Sequence, residues 1–234
     1  MSPTWPRAVI FDLDGTLVDS APDIREAVNA GFGPLGIPPF PLQVVKELIG
    51  GGAAVAVRRA AQRLGVTLAF ADEAAVLERF MTTYARVSAE GRGLYPGAHE
   101  LLAQIKGEGR GVALCTNKAE DITRITIKAL GIAEYFSAVV AARDDLPKKP
   151  HPAMLLRALA PFGVAPADAV MIGDSHADID GARAAGMRSI AVSYGYSATP
   201  ARELGANMII DRLEDVPAAL AALRGSAGLV KGAI

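Results

Sequence analysis

Short apolar runs bounded by Gly, Asp or Asn are the feature that most constrains the fold of this 234-residue chain. The first run, Ala8 to Phe11, ends directly before Asp12. Similar runs recur at Val112 to Cys115, Ala138 to Ala142, Ala169 to Ile172 and Ser189 to Val192, with a weaker one at Met208 to Ile210. Unbroken apolar runs of this length are typical of strands that are buried on both faces of a parallel sheet. The pattern therefore predicts six strands of that kind.

Segments with helical periodicity separate these runs in the C-terminal part of the chain. They cover Ala98 to Glu108, Ala119 to Leu130, Pro152 to Phe162 and Asp178 to Ala185. From residue 97 onward, helices and strands are therefore predicted to alternate. This alternation indicates an α/β fold in which right-handed crossovers connect a doubly wound parallel sheet.

Residues 19–91 depart from this alternation, because helical stretches follow one another there without a strand. The stretches are Ala21 to Ala30, Leu42 to Leu48, Ala53 to Leu64 and Asp72 to Glu90. A helical block inserted after the first strand of an α/β fold predicts a separate lobe. We expect a core formed by residues 1–18 and 92–234, and a helical cap formed by residues 19–91. The final residues, Arg224 to Ile234, are expected to form a loose tail.

Composition and charge limit the classes of function. Hydrophobic residues make up 51% and charged residues 21% of the chain, so a buried core is expected and disorder is not. The formal net charge of -1 argues against nucleic acid as the main partner. No stretch of about 18 apolar residues is present, so we expect no membrane-spanning helix. The single cysteine, Cys115, excludes an internal disulfide and favours a cytoplasmic location. No feature indicates an oligomeric state.

Two carboxylates follow the first predicted strand, Asp12 and Asp14, at the entrance to a turn at Gly15. Ligands of open α/β sheets bind beyond the carboxyl ends of the strands. Acids this close repel each other unless a cation lies between them, and Mg²⁺ prefers such oxygen ligands. With an ordinary pKa of about 3.9, Asp12 is expected to be ionised near neutral pH. An acidic turn without any chemistry has the same composition and remains an alternative.

Two further groups of polar residues follow later strands or precede a helix. Thr116 and Asn117 come directly after the second predicted strand, where a hydroxyl, an amide and free backbone N–H groups can bind phosphate oxygens. Their alternative role is to cap the next helix. Lys149 lies between Lys148 and Pro150, just before a predicted helix, and could neutralise a phosphate. A solvated basic loop is the alternative there.

The last polar group is acidic. Asp174 ends the run Ala169 to Ile172 and its glycine, and Asp178 follows four residues later at the start of a predicted helix. An acid at a helix N-terminus is favourable without any further role. Taken together, however, four strand ends in sequence order supply a carboxylate pair, a hydroxyl with an amide, a lysine and an acid. That set is sufficient for phosphoryl transfer.

These motifs resemble those of the haloacid dehalogenase superfamily, over nearly the whole chain. The segment Asp12 to Ser20 resembles its first motif, Thr116-Asn117 its second, Lys149-Pro150 its third, and Gly173-Asp174 with Asp178 its fourth. Within the superfamily the chain looks most similar to bacterial phosphoglycolate phosphatases, on the segments Tyr95-Pro96-Gly97, Leu146 to Pro152 and Tyr194-Gly195-Tyr196. The resemblance implies a Rossmann-like core that carries an inserted α-helical cap.

The resemblance also implies a role for each motif residue. Asp12 would attack phosphorus and form an aspartyl-phosphate, which divides one difficult step into two easier ones. Asp14 would protonate the leaving oxygen and later deprotonate the attacking water. Thr116 and Asn117 would hold the transferring phosphoryl group, and Lys149 would neutralise its charge.

A magnesium ion is the cofactor that the resemblance implies. Its ligands would be the side chain of Asp12, the backbone carbonyl of Asp14 and the side chain of Asp174. Asp178 would lie in the outer shell of the metal. The ion and a lysine together would remove the repulsion between an anionic nucleophile and a phosphate dianion.

The expected function is hydrolysis of a small phosphorylated metabolite, with 2-phosphoglycolate as the favoured substrate. One alternative is a sugar phosphomutase of the same superfamily, but such enzymes typically carry a histidine in the segment that corresponds to Val18 to Asn29, which has none. Another is a phosphatase for a different substrate, such as a sugar phosphate or pyrophosphate. A non-catalytic phospholigand-binding protein is disfavoured, because Asp12 and Asp14 are both present.

Three other features have expected places in the fold. Gly50-Gly51-Gly52 is expected to form a turn of the cap that faces the site. Arg58, just beyond, could meet a substrate carboxylate, although a solvated helix face is the favoured position. Cys115, inside an apolar strand, is expected to be an inert buried thiol.

Overall fold

A six-stranded parallel sheet is the centre of the fold. The structure, a computed structural model, describes residues 5–143 and 145–226. The strands are β1 (Ala8–Phe11), β2 (Gly111–Ala119), β3 (Ala138–Ala142), β4 (Ala169–Gly173), β5 (Arg188–Val192) and β6 (Met208–Ile210). Their order across the sheet is β3-β2-β1-β4-β5-β6, and all neighbours are parallel. The six predicted strands and the doubly wound sheet are therefore confirmed. The predicted tail, Arg224 to Ile234, lies mostly outside the described residues.

Burial explains why β1 has no polar residue. Val9 and Phe11 belong to an apolar cluster on one face of the sheet, and Ala8 and Ile10 belong to a second cluster on the other face. All four side chains are fully buried. Because both faces of the strand are covered, the alternation of an exposed strand is absent.

The register of the central strands brings their carboxyl ends to one level. Phe11 of β1 pairs with Leu114 of β2 and with Ile172 of β4. The residue after Phe11 therefore lies beside the ends of two neighbouring strands, at the point where the strand order changes direction. In open α/β sheets this is where ligands bind.

The second strand is longer than its apolar run. β2 continues to Ala119, with a register shift against β3 between Cys115 and Ala119. The expectation that Thr116 and Asn117 follow the strand is wrong, because both lie in its last part. The capping role is wrong as well, since the next helix begins at Glu120 without a side-chain cap.

Four of the five helices that lie between β1 and β2 in the sequence form one group. They are α1 (Ala21–Phe32), α2 (Leu42–Leu48), α3 (Ala53–Arg63) and α4 (Phe70–Ser88). They share an apolar cluster that includes Phe32, Val57 and Phe80, and Ile122 from outside this segment also belongs to it. The helical character of this segment is thereby confirmed, and we call these four helices and their loops the cap. The boundaries at residues 18/19 and 91/92 stay a prediction.

The remaining helices cover the sheet. They are α5 (Ala98–Gly107), α6 (Glu120–Ala129), α7 (Ala153–Leu159), α8 (His176–Ala185) and α9 (Val216–Ser226). Helix α8 begins two residues earlier than predicted, because Ser175 and Asp178 form a capping box at its start. Helix α7 ends earlier than predicted and continues as a 3₁₀ turn over Ala160–Phe162.

The two connections between cap and core run side by side. The backbone N–H of Asp19 donates to the carbonyl of Gly93 at 2.6 Å. Arg92 donates to the Asp23 carboxylate at 2.9 Å, which ties the second connection to α1. The cap is therefore attached to the core through adjacent segments.

In the part of the chain that the structure describes, no helix is long and apolar enough to cross a membrane.

Candidate active site

A buried ion pair forms the floor of the site. Asp12 directly follows β1, and its backbone N–H donates to the carbonyl of Ile172 at 2.9 Å. The Lys149 ammonium donates to Asp12 Oδ1 at 2.9 Å, to Asp178 Oδ1 at 2.6 Å and to the carbonyl of Cys115 at 2.6 Å. Only 1% of the lysine side chain is exposed. All three donors of Lys149 are thus engaged, which fixes its charge beside Asp12.

The surroundings of Asp12 and Lys149 shift the pKa values of both groups away from their ordinary values. Desolvation raises the pKa of Asp12 to about 7, while the Lys149 charge lowers it and Asp178 raises it further. The pKa of Asp12 therefore lies above the ordinary value that the sequence alone suggests. Burial opposes the charged form of Lys149, but the carboxylates of Asp12 and Asp178 outweigh it and raise the lysine pKa. Lys149 is accordingly a cation.

Three carboxylates converge beside Lys149. Asp12, Asp174 and Asp178 are all buried, and each offers an oxygen within 4.8 Å of the others. Burial, then the charges of Asp178 and Asp12, raise the pKa of Asp174 well above its ordinary value. A buried group of acids is costly unless a cation compensates it. Hard oxygen donors in this arrangement can hold a divalent cation such as Mg²⁺.

Close packing at Gly15 explains how Asp174 reaches this cluster. Gly15 has a φ of +86°, and a Cβ there would lie 2.5 Å from Asp174 Oδ2. Only glycine fits both that conformation and that approach. The same oxygen accepts the backbone N–H of Tyr196 at 2.7 Å. Asp174 is therefore held against the turn that carries Asp14.

Asp178 is anchored on both of its oxygens. Oδ1 accepts from Lys149, and Oδ2 accepts from the backbone N–H and the hydroxyl of Ser175 at 3.1 Å and 2.7 Å. Asp12 and Asp174 each have one oxygen with a hydrogen bond among the described residues. The donor set therefore suits a cation bound by Asp12 and Asp174 with Asp178 behind them.

Asp14 has a lysine of its own. Lys118 Nζ lies 2.9 Å from Asp14 Oδ1 and also donates to the hydroxyl of Tyr84. The ammonium lies 4.2 Å from the centre of the Tyr84 ring, within the range of a cation–π contact. Burial, then the charges of Asp14 and Asp23, raise the Tyr84 pKa well above its ordinary value, so its hydroxyl keeps its proton.

The Asn117 side chain holds the lysine loop. Its Oδ1 accepts the backbone N–H of Lys149 at 3.0 Å, and its Nδ2 donates to the carbonyls of Lys149 at 3.0 Å and Gly50 at 3.4 Å. Thr116 Oγ1 accepts the backbone N–H of Lys118 at 3.2 Å. Both residues line the cavity described next. Phosphate binding by Thr116 and Asn117 stays a prediction.

A cavity of about 610 Å³ lies above this floor, between core and cap. The core lines it with Asp12, Asp14, Lys149 and Asp174, among others, and the cap lines it with Gly50 to Gly52, Arg59, Phe80 and Tyr84, among others. The expectation that the glycine turn faces the site is confirmed. Arg58 is 67% exposed and pairs with Glu73 at 2.7 Å, so its solvated position is confirmed, and its neighbour Arg59 lines the cavity instead.

Cys115 lies beneath the floor. It is fully buried in β2, and burial raises the pKa of its thiol to about 12. The prediction of a buried cysteine is confirmed.

Sequence reasoning assigned no role to Lys118, Tyr84 or Tyr196. The sequence signal for Lys118 was its position directly after Asn117. The signal for Tyr196 was its position shortly after the run Ser189 to Val192. Nothing in the sequence distinguishes Tyr84 from the other apolar positions of α4. Its approach to Asp14 depends on how the cap packs on the core.

Comparison with known proteins agrees with this architecture. Residues 9–192 match the family of haloacid dehalogenase-like hydrolases. The phosphoglycolate phosphatase of Rhodospirillum rubrum is 39% identical over 210 residues, which cover 88% of this chain and 87% of that protein. Phosphoglycolate phosphatase 1 of Pseudomonas aeruginosa is 39% identical over 215 residues, covering 90% and 78% respectively. The crystal structure of a predicted phosphoglycolate phosphatase from Haemophilus somnus has a TM-score of 0.85 at 30% identity, and covers 91% of this chain and 97% of that chain.

The chain therefore belongs to the haloacid dehalogenase-like hydrolase family. Within it, the chain is a phosphoric monoester hydrolase similar to phosphoglycolate phosphatases. The resemblance inferred from the four sequence motifs is confirmed.

Proposed function

We propose that this chain is a Mg²⁺-dependent phosphatase that converts 2-phosphoglycolate to glycolate and phosphate through an aspartyl-phosphate on Asp12. One observation carries the proposal. The Asp12 carboxylate faces the cavity while it is paired with the buried Lys149 at 2.9 Å and clustered with Asp174 and Asp178. This arrangement presents a nucleophile and a compensating cation at the same point.

The proposed reaction has two steps. In the first, an oxygen of Asp12 forms a bond to phosphorus while the ester P–O bond breaks, and Asp14 gives a proton to the departing glycolate oxygen. In the second, water attacks the aspartyl-phosphate, Asp14 takes its proton, and phosphate leaves with Asp12 restored. Throughout, Lys149 offsets the negative charge near Asp12. Backbone N–H groups near Thr116 and Asn117 would orient the phosphoryl group.

The acidic cluster fits Mg²⁺. Asp12 and Asp174 would hold it, with the Asp14 carbonyl as a third protein ligand and Asp178 in the outer shell. When bound, the ion supplies positive charge that reduces the repulsion between the carboxylate and the phosphate. Asp12, whose pKa burial raises to about 7 in the metal-free chain, would then remain ionised at neutral pH.

The substrate assignment rests on the cavity and the relatives. A cavity of about 610 Å³ that is partly closed by cap residues suits a small phosphorylated metabolite. The two relatives described above are named phosphoglycolate phosphatases. The absence of a histidine from Val18 to Asn29 favours hydrolysis over the phosphomutase alternative. A cytoplasmic location stays a prediction.

The test is phosphate release from a panel of small phosphorylated compounds with and without Mg²⁺. The panel contains 2-phosphoglycolate, a sugar phosphate and pyrophosphate. We expect metal-dependent release with a strong preference for 2-phosphoglycolate. Equal release across the panel would contradict the substrate assignment and retain the reaction type. Conversion of one sugar phosphate isomer to another without phosphate release would favour the phosphomutase alternative.

A further inference from the structure

A second buried lysine lies beside the proposed acid–base residue. Lys118 is the penultimate residue of β2, and only 2% of its side chain is exposed. A buried ammonium is costly unless its donors are paired. Its partners are the Asp14 carboxylate at 2.9 Å, the Tyr84 hydroxyl, and the face of the Tyr84 ring at 4.2 Å from its centre. The environment of Lys118 is thus formed by one core acid and one cap aromatic.

The two buried lysines of the site, Lys118 and Lys149, pair with different carboxylates. Lys149 pairs with Asp12 and Asp178, whereas Lys118 pairs with Asp14. Asp14 is 14% exposed at its side chain and lines the cavity, so its carboxyl group can reach a bound ester. A free aspartate at such a place would sample several rotamers. A fixed hydrogen-bond donor selects one of them.

We propose that Lys118 is a positioning residue that holds the Asp14 carboxyl group toward the leaving oxygen, and that Tyr84 of the cap holds Lys118 in turn. The inference rests on the acid–base role of Asp14 in the proposed function. Its chemical consequence is specific. Proton donation is needed when a poor leaving group such as an alkoxide departs, and is not needed when the leaving group is already a stable anion.

The test compares three small phosphorylated compounds in the unaltered chain and in Lys118→Met. Ethyl phosphate has an alkoxide leaving group and no carboxylate. 2-Phosphoglycolate has an alkoxide leaving group with a carboxylate. Acetyl phosphate releases acetate, which needs no proton. The value of kcat/KM reports the first step, in which phosphorus is transferred to Asp12 and the leaving group departs.

We expect Lys118→Met to lower kcat/KM by about 100-fold for ethyl phosphate and 2-phosphoglycolate, and by no more than about threefold for acetyl phosphate. An equal loss of kcat/KM for all three compounds would overturn the proposal, because Lys118 would then act on the phosphoryl group or on the fold. Loss for 2-phosphoglycolate alone would also overturn it, because Lys118 would then bind the substrate carboxylate. The thermal unfolding midpoint of each variant is measured alongside its kinetics.

A second variant separates positioning from folding. Tyr84→Phe keeps the ring over the ammonium and removes the hydroxyl that accepts from Lys118 and that also interacts with Asp14. We expect a loss of about tenfold for the two alkyl esters and almost none for acetyl phosphate. Lys128→Met, an exposed lysine in the last turn of α6, is the matched control and should change none of the three values. The contrast between ethyl and acetyl phosphate does not require glycolate specificity, so an error in the proposed substrate leaves this inference testable.

Discussion

Core and cap contribute to the cavity in different ways. The core supplies the charged floor from strand ends and the loop before α7, and hydrogen bonds hold Asp12, Asp14 and Lys149 in place. The cap supplies the opposite wall with the glycine turn, Phe80, the Tyr84 hydroxyl and two charged side chains, Glu47 and Arg59. The difference teaches that the charges around Asp12 come from the core, whereas the cap contributes the opposite wall, which we expect to influence the choice of substrate.

The largest effect should come from the core floor. Asp12→Asn removes the oxygen anion that attacks phosphorus, so turnover should fall by about 10⁴-fold or more. The amide has nearly the same size, so the chain should remain folded. Phosphate release and thermal unfolding measure the two properties. Asp72→Asn, at an exposed position in α4, is the control and should retain full turnover. Substantial turnover by Asp12→Asn would contradict the assignment of Asp12 as the nucleophile.

The next effect concerns the acidic cluster of Asp12, Asp174 and Asp178. A chelator should lower turnover by at least about 100-fold, and added Mg²⁺ should restore it. Binding to the folded chain should also raise the thermal midpoint as the Mg²⁺ concentration rises. Asp174→Asn should weaken that rise because it removes a ligand charge. Unchanged turnover in the chelator would show that the core works without a divalent cation.

A smaller effect should follow from the cap. Gly52 has a φ of +87°, and a Cβ there would lie 3.1 Å from the Asn117 carbonyl and 3.2 Å from Lys148 Nζ. Gly52→Ala should therefore push the glycine turn away from the core and raise KM for the substrate about fivefold to tenfold, with a smaller change in kcat. Steady-state kinetics measures both constants.

The control for this variant lies in the same cap. Gly36 has a φ of +73°, but a Cβ there would meet no atom of the described residues within 4 Å. Gly36→Ala therefore introduces backbone strain without disturbing the contact with the core. It should lower the thermal midpoint and leave KM unchanged. If both variants raised KM equally, the contact at Gly52 would have no special role in substrate binding.

The smallest effect is expected at Cys115, beneath the floor. Because burial raises its thiol pKa to about 12, the thiolate that reacts with alkylating agents is nearly absent at pH 8. Iodoacetamide should modify the native chain at least about 100-fold more slowly than the unfolded chain, without loss of turnover. Mass spectrometry of the alkylated protein measures the rate. Rapid modification with loss of turnover would show that β2 opens in the native state.

The sequence predicted the floor because its residues stand where apolar runs end. Asp12 directly follows β1, and Asp174 directly follows β4. Neighbouring parallel strands place such ends together. The protonation of Asp12 could not be predicted, since its pKa depends on complete burial among other charges. The hydrogen bonds of Asn117 to Lys149 could not be predicted either, because they join residues 32 positions apart.

The cap shows the opposite balance. Its four helices were all predicted from helical periodicity, with bounds that differ from the observed ones by two residues or fewer. Of its contribution to the site, the glycine turn was predicted. Tyr84 was not, since it reads as one more apolar position of an amphipathic helix. Local periodicity determines an element, whereas the group that the element presents to the site depends on packing between lobes.

The adjacent attachment of the cap at Asp19 and Gly93 has a consequence for how such chains diversify and can be engineered. Because the segment between these residues leaves and rejoins the core at one hydrogen-bonded point, its ends are already close. Exchanging it for another helical segment adds little loop-closure entropy, about 0.6 kcal/mol for each doubling of length. The segment can therefore be exchanged as a unit. We expect chimeras that keep the core to accept new substrates while the sheet stays unchanged.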